Sequence, residues 1–477
     1  MHHMKPVRLM LALTALLALL SCHDEWEFSA DGRYRLSFSA DTVSMDTVFT
    51  GVASASVWFK VYNRNDVGLR FDAVMGGGAA SPFRMNMDGE GGSTITSLEL
   101  GAGDSLFCFV SVNIPESGET GLFQAFDSIR FILESGNVQH VRLEVSAQNA
   151  VVLKGKRIES DTRLTPLLPY IIYDSLYVKE GATLTLEPGT RLYFHKGAVL
   201  DVAGRLVAQG TPDSVILMRG DRLDDMLEDL PYDLLSGQWG GVRLRGGSYG
   251  NMLEWCDIHG ADFGIKADSA GSETLKLSVV SSVIHNVKGN GLEATGCRLS
   301  VANSQITNAG GACVDIAGGQ SEFTFCTIAA FSLWDGAGQA VLLSDSREGR
   351  GVGFGGASFN NCIITGRHTS ELITQFADSV RETAPYSVSN SLLMVRDTTD
   401  SRFSNVRFEN SRNKAYGASN FRNRTRIGYR SVFELDSLSP ARGIADAASA
   451  LWLMDLAGVT RPADGADAGC YQYNPHD

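Results

Sequence analysis

A six-residue pattern recurs six times between residues 253 and 393, and it limits what most of this chain can fold into. The pattern is an apolar residue, two variable positions, Cys or Ser, one variable position, then Ile or Leu. Copies begin at Leu253, Val279, Val301, Phe323, Phe359 and Val388. The small residue falls on Cys256, Ser282, Ser304, Cys326, Cys362 and Ser391, and the aliphatic on Ile258, Ile284, Ile306, Ile328, Ile364 and Leu393. The three middle copies are 22 residues apart, and the other intervals are 26, 36 and 29. So short a unit holds only a few brief strands, and none of these buries its apolar face alone. Copies must therefore stack. The spacing predicts an all-β solenoid, a right-handed parallel β-helix. A solenoid is a scaffold, and a scaffold by itself implies no activity.

At 477 residues the chain exceeds one ordinary domain, so at least two units are expected. Residues 28–150 predict a separate β-sandwich. Alternation marks strands at Tyr34–Phe38, Val57–Tyr62, Leu106–Val110, Ser128–Ile132 and Val141–Val145, divided by turn-forming stretches such as Asn63-Arg64-Asn65-Asp66. The β-helix is expected over 165–400, with about three strands per rung because Leu184 and Leu206 are also 22 residues apart. Two interruptions show helical spacing. One, at 221–235, has Leu223, Met226, Leu227 and Leu230 on one side. The other, at 369–382, has Leu372, Ile373, Phe376 and Val380.

Residues 1–21 are expected to be a leader. Lys5 and Arg8 precede an apolar run over residues 9–20, which is too short to span a bilayer. The run ends in Leu19-Leu20-Ser21-Cys22, which resembles the bacterial lipobox, with Leu20 a departure at a position usually small. The resemblance implies that Cys22 is acylated and anchors the chain to a membrane. Residues 22–27 then form an acidic tether. Its Asp24, Glu25 and Glu27 resemble the export signals of surface lipoproteins of the Bacteroidetes group, which implies the bacterial outer membrane and exposure at the cell surface. The net charge of −13 argues against nucleic acid as a partner, because phosphate binding needs a basic footprint.

Other motifs resemble known β-helix proteins. Pro188-Gly189-Thr190-Arg191-Leu192-Tyr193-Phe194, Gly204-Arg205-Leu206 and Gln238-Trp239-Gly240-Gly241-Val242 resemble the opening rungs of right-handed, pectate-lyase-like β-helices. Ser439-Pro440-Ala441-Arg442-Gly443 and Asp467-Ala468-Gly469-Cys470-Tyr471 resemble the closing segment of bacterial surface β-helix proteins, with Ala468 and Cys470 as departures, and assign 401–477 to that segment. Phe59-Lys60-Val61-Tyr62-Asn63 and Ser81-Pro82-Phe83 resemble immunoglobulin-like sandwich modules found beside bacterial surface repeats.

Several residue sets are candidates for chemistry. Cys256, Cys326 and Cys362 share a column with serines, so burial between rungs explains them without disulfide or metal. His259 and His285 occupy one column in consecutive copies, pointing outward by alternation. With Asp257 or Asp262 they can bind a divalent metal or serve as acid and base, or they can be plain surface histidines at a turn. The acids at 221–233 suit a solvated helix face better than a calcium loop. Arg412, Lys414, Arg422, Arg424, Arg426 and Arg430, interleaved with Tyr416, Phe421 and Tyr429, form the one basic cluster. It can bind an acidic polysaccharide or pair within the protein. No metal or other cofactor is expected, and no nucleophile, phosphate-loop or dinucleotide motif is present. The sequence therefore favours a non-catalytic scaffold that binds glycans or surface proteins, against a polysaccharide lyase or glycoside hydrolase on the same fold.

Overall fold

The computed structural model describes residues 27–227, 230–271, 273–332, 336, 338–409, 420–423, 432–446 and 454–475. Cys22 and the leader lie outside these residues. The described chain forms two compact units that divide between Gln148 and Asn149. None of its helices is long and apolar enough to cross a membrane.

The first unit is a sandwich of two five-stranded sheets. One sheet orders Ser37–Phe38, Val57–Tyr62, Ser105–Val112, Phe83–Met87 and Glu90–Gly92, all antiparallel. The other orders Thr42–Phe49, Val138–Gln148, Leu122–Leu133, Leu69–Met75 and Thr94–Leu100, where only the first pair is parallel. Alternate residues from both sheets meet inside, and the rings of Phe38, Phe59 and Phe71 all pack on Phe131. The segment at Tyr34–Phe38 is a strand only at its last two residues. Before them, the Leu36 backbone is held by the side-chain amide of Gln139.

The second unit is a parallel β-helix whose strands fall into three ladders. One rung reads Leu275–Val280 in the first ladder, Val283–Val287 in the second and Leu292–Thr295 in the third. The first two ladders join into a 19-stranded sheet, and the third is a nine-stranded sheet. The sequence pattern is the first-to-second corner of this coil. Leu253, Val279, Val301, Phe323, Phe359 and Val388 pair directly down the first ladder. Ile258, Ile284, Ile306, Ile328, Ile364 and Leu393 pair down the second. Intervals longer than 22 residues are taken up between strands, as in the hairpin Ser346–Arg347/Arg350–Gly351, so the ladder keeps its register. Strands of this coil begin at Val151, ahead of the expected start near 165.

The corner itself explains the Cys/Ser column. Before each small residue the chain turns through one left-handed residue: Trp255, Ser281, Asn303, Phe325, Asn361 or Asn390, with φ between 46° and 56°. The small side chain then donates to the carbonyl two residues back, as Ser282 does to Val280 and Cys362 to Asn360. It also receives a backbone N–H from the rung before: Cys256 N–H donates to Ser282 Oγ at 3.0 Å, and Cys362 N–H to Ser391 Oγ at 2.9 Å. A thiol and a hydroxyl each supply one donor and one acceptor, so they exchange at this position. Cys256, Cys326 and Cys362 are buried and unpaired.

Both helix expectations fail. At 221–235 the chain makes a small hairpin, Asp225–Leu227 with Leu230–Pro231, followed by a single 3₁₀ turn. Pro231 lacks the N–H that a helix interior requires. At 369–382, Leu372 and Ile373 join the third ladder opposite Val341 and Leu342, and only Asp378–Arg381 is helical. Ladder pairing of two aliphatics outweighs their helical spacing.

The Trp-Gly-Gly motif seals one turn. Trp239 is fully buried, stacks on Phe194 at 4.2 Å, and donates its indole N–H to the His259 carbonyl. Gly241, at φ 120°, passes so close to the next rung that a Cβ would lie 2.0 Å from the Phe263 carbonyl oxygen. The described part of the C-terminal segment lies along the outer side of the second ladder and reaches its last strand, where Arg407 donates to the Pro440 and Arg442 carbonyls. Cys470 N–H donates to Thr327 Oγ1, Gly469 N–H to the Asn361 carbonyl, and the Tyr471 hydroxyl to Gln305 Oε1. Buried Arg461 donates to Asn303 Oδ1 and lies 4.1 Å over the Phe325 ring.

Candidate functional site

Because rungs stack in register, outward side chains form columns one strand spacing apart. On the second ladder one such column reads Tyr193, Arg219, His259, His285 and Thr307. Arg219 and His259 are placed next to each other by the pairing of Met218 with Ile258. The C-terminal segment covers the end that holds Gln305 and Thr327. The insertion after Gly220 folds over the other end and delivers Asp233.

The result is a chain of charge. Arg219 makes a close ion pair with Asp233. His259 has Asp233 Oδ1 at 2.8 Å from Nε2 and Asp257 Oδ1 at 2.8 Å from Nδ1. His285 Nε2 reaches the same Asp257 oxygen at 3.2 Å, and the two imidazoles lie 4.7 Å apart, tilted by 33°. Burial favours the neutral form of His259, but Asp257 and Asp233 together outweigh it and raise its pKa to about 9. Burial likewise works against ionised Asp233, yet His259 and Arg219 lower it to about 2, and Asp257 is held well below the usual carboxylate range by the two histidines.

This geometry narrows the chemistry. Asp257, His259 and His285 place ligand atoms within 4.8 Å of one another, which is close enough for a metal. A ring nitrogen binds a metal through its lone pair, however, and both nitrogens of His259 face carboxylates as N–H donors. The set therefore fits an ion network better than a metal site. A doubly protonated imidazole is no general base, and a carboxylate this firmly ionised is a poor one. His259 is buried, contrary to the outward, exposed position that alternation implied. The insertion covers it. Asp262 is not part of the cluster, and it lies exposed on the rim of a different cleft.

That cleft opens over the third ladder, with a volume of about 560 Å³. Its floor is Asp201, Arg243, Lys266 and Glu293, the middle of another in-register column that runs from Tyr177 to Asp315. Asp262, Phe263 and Asn290 edge it. Its charges are largely paired: Asp201 with Arg245, Arg243 with Asp268, and Lys266 with Glu293 at 2.9 Å. Burial raises Glu293, but Lys266 and Asn290 outweigh it, so its pKa is lowered and the group stays ionised. Asp201, Arg243, Glu293 and Arg219 are not among the residues that the sequence singles out, although writing the outward positions of each strand beneath those of the rung before shows them as columns. Asp233 is one of the acids at 221–233 expected on a solvated helix face, and the structure instead places it on Arg219 and His259.

The basic segment divides. Arg412, Lys414, Tyr416, Arg424, Arg426, Tyr429 and Arg430 lie outside the described residues. Phe421 is 1% exposed, packed with Phe331 and Phe433, and so offers no platform to a sugar. Arg422 lies 3.8 Å from Glu434 and 5.7 Å from the Tyr473 ring centre.

Neither a family model nor any curated protein matches the chain. Among solved structures, the catalytic unit of a thermostable GH87 α-1,3-glucanase from Streptomyces thermodiastaticus aligns over 74% of this chain and 77% of its own, at 9% identity and TM-score 0.24. A family 123 glycoside hydrolase from Clostridium perfringens aligns over 25% of this chain and only 30% of its own, at 8% identity and TM-score 0.19. A protein of unknown function from Porphyromonas gingivalis aligns over 26% and 60%, at 12% identity and TM-score 0.19. Likeness this low carries no argument about activity, and the fold assignment rests on the strand registers.

Proposed function

We propose that this protein is an envelope lipoprotein of the bacterial outer membrane, exposed at the cell surface, whose parallel β-helix is a non-catalytic glycan-binding scaffold. The observation that carries the reading is the third-ladder cleft. It offers an open column of hydrogen-bonding groups, and two of its acids, Asp201 and Glu293, are already tied to Arg245 and Lys266. A hydrolase needs one carboxyl kept protonated beside a second that is ionised. Here Glu293 is held ionised. The carboxyls that burial pushes upward, Glu371 to about 8 and Asp455 less far, are each 0% exposed and out of reach of a polymer. Sugar hydroxyls would exchange hydrogen bonds with Arg243, Lys266, Asn290 and Asp201, with Phe263 as an apolar edge.

The test is a polysaccharide panel scored for binding and for product release together. Arg243→Ala with Lys266→Ala is expected to abolish binding of the glycans retained by the wild type, with no product from either protein. Accumulation of cleaved or unsaturated products would replace this reading with the lyase or hydrolase alternative. For the anchor, palmitate label is expected on the wild type and absent from Cys22→Ala. Added protease should reach the protein on intact cells.

A further inference from the structure

The sandwich carries a face that its own fold does not use. Outward positions of the sheet built on Val57–Tyr62 and Ser105–Val112 are Trp58, Lys60 and Tyr62 on one strand, and Ser105, Phe107, Phe109 and Ser111 on the next. Phe83–Met87 adds Arg84 and Asn86, and Gly91 lies opposite Asn86. Three large rings stand in solvent: Trp58 is 57% exposed, and Phe107 and Phe109 are each 42% exposed. They form a row, with ring centres 5.1 Å apart from Trp58 to Phe107 and 6.0 Å from Phe107 to Phe109. Beside Phe109 opens a cleft of about 360 Å³, lined by Ser56, Arg84, Asn86, Gly91, Gly92 and Ser111. The two glycines leave its far wall without side chains.

Charge identifies the occupant. The whole chain is acidic, at −13, yet the outward positions of these strands hold no Asp or Glu. They hold Lys60, whose ammonium lies 4.6 Å over the Phe107 ring, and Arg84, anchored through the carbonyls of Ser81 and Phe83 at the cleft's edge. Arg64 adds a third cation, 5.2 Å over Tyr62. Pyranose rings have apolar C–H faces that stack on aromatics, and hydroxyl edges that suit Asn and Ser. A carboxylated sugar adds the negative charge these cations lack. A bilayer fits less well, because a slot lined by Asn86, Ser56 and Ser111 would lose its hydration without gaining partners.

We infer that this face of the sandwich binds an anionic polysaccharide, with one carboxylated sugar in the cleft beside Phe109 and its neighbours running along Phe107 and Trp58. The site is separate from the solenoid cleft and does not depend on it.

Polygalacturonate binding to the full chain tests the inference. Trp58→Ala with Phe109→Ala is expected to weaken affinity about tenfold, or about 1.4 kcal/mol, at an unchanged melting temperature. Lys60→Gln with Arg84→Gln is expected to weaken it too and to flatten its salt dependence. Dextran, which is uncharged, should bind far more weakly. The inference is overturned if polygalacturonate does not bind, or if the aromatic pair can be removed without loss. It is also overturned if vesicles of phosphatidylglycerol bind this face while polygalacturonate does not. Loss only in Arg243→Ala/Lys266→Ala would sink this site and leave the solenoid reading standing, and the reverse result would do the opposite.

Discussion

The two units bury their apolar residues by opposite rules. In the sandwich, residues distant in sequence meet once, in a mixed core where Phe131 touches three other rings and no neighbour repeats its surroundings. In the solenoid each residue meets its own counterpart one rung away, so Phe323 stacks on Phe359 at 4.8 Å and serine follows cysteine down a column. Repetition makes the solenoid tolerant of exchange within a column and intolerant of anything a column has no room for. The sandwich has no such spare solutions.

Cysteine, buried in both units, tests the contrast most sharply. Cys326→Arg should destabilise the solenoid by more than about 4 kcal/mol, enough to remove its transition from a melt, because a charge would lie between rungs without a partner. Cys326→Ser should cost less than about 1 kcal/mol, since the corner already supplies both hydrogen bonds that a hydroxyl needs. Cys108→Ser, in the sandwich, should cost about 1–3 kcal/mol, because Cys108 is fully buried in a core that is not shaped around a hydroxyl. Equal costs for the two serine variants in a urea melt would break the comparison.

Ring removal is the next largest effect. Phe131→Ala should cost the sandwich about 3–5 kcal/mol, through lost contact and a cavity. Phe359→Leu should cost the solenoid less than about 1.5 kcal/mol, since Leu253 and three valines hold the same column. Calorimetry that resolves two transitions would check both.

The third effect is pH. His259 has a folded pKa of about 9, above its ordinary 6.5. Its contribution is therefore fully present below about pH 6.5 and is lost as pH rises through about 9. The solenoid should lose a few kcal/mol of stability over that window, because each tenfold gain in proton affinity on folding is worth about 1.4 kcal/mol. His259→Gln should be less stable at pH 6 and should lose less stability than the wild type across the window, its remaining slope below about pH 8 coming from Glu371. A wild type insensitive to pH there would mean that His259 is not held as a cation.

The smallest effect is at the long ion pair of the basic segment. Arg422→Ala should move stability by at most about 1 kcal/mol, because its pairing with Glu434 is long and partly solvated.

Most of the solenoid is legible in the sequence because its constraint is local and repeated. A left-handed corner, a small donor–acceptor residue and an aliphatic two positions later must recur in every rung, so six copies stand out. The sandwich is legible as a class but not as a set of pairings. Thr42–Phe49, Leu69–Met75, Phe83–Met87 and Thr94–Leu100 alternate as well, but alternation does not say which strands they join. The two false helices share one cause: periodicity is a property of a window, and it registers neither Pro231 nor the ladder awaiting Leu372. At the histidines, the sequence puts His259 and His285 in one column. It does not supply Asp233, which arrives from an insertion whose path no local pattern sets.

By itself, then, the sequence determined the coil, its rung length and the chemistry of its corner, because each follows from residues a few positions apart. Only the tertiary structure decided which outward columns stay in solvent and which are covered. It laid the C-terminal segment along the second ladder and folded the 221–235 insertion over His259, drawing a histidine pair into a partly buried ion network. It also gathered Trp58, Phe107 and Phe109 into one row. The physical reason is the same in each case. A strand fixes which side a residue faces, but what lies on that side belongs to chain far away in sequence, placed by packing that no short window contains.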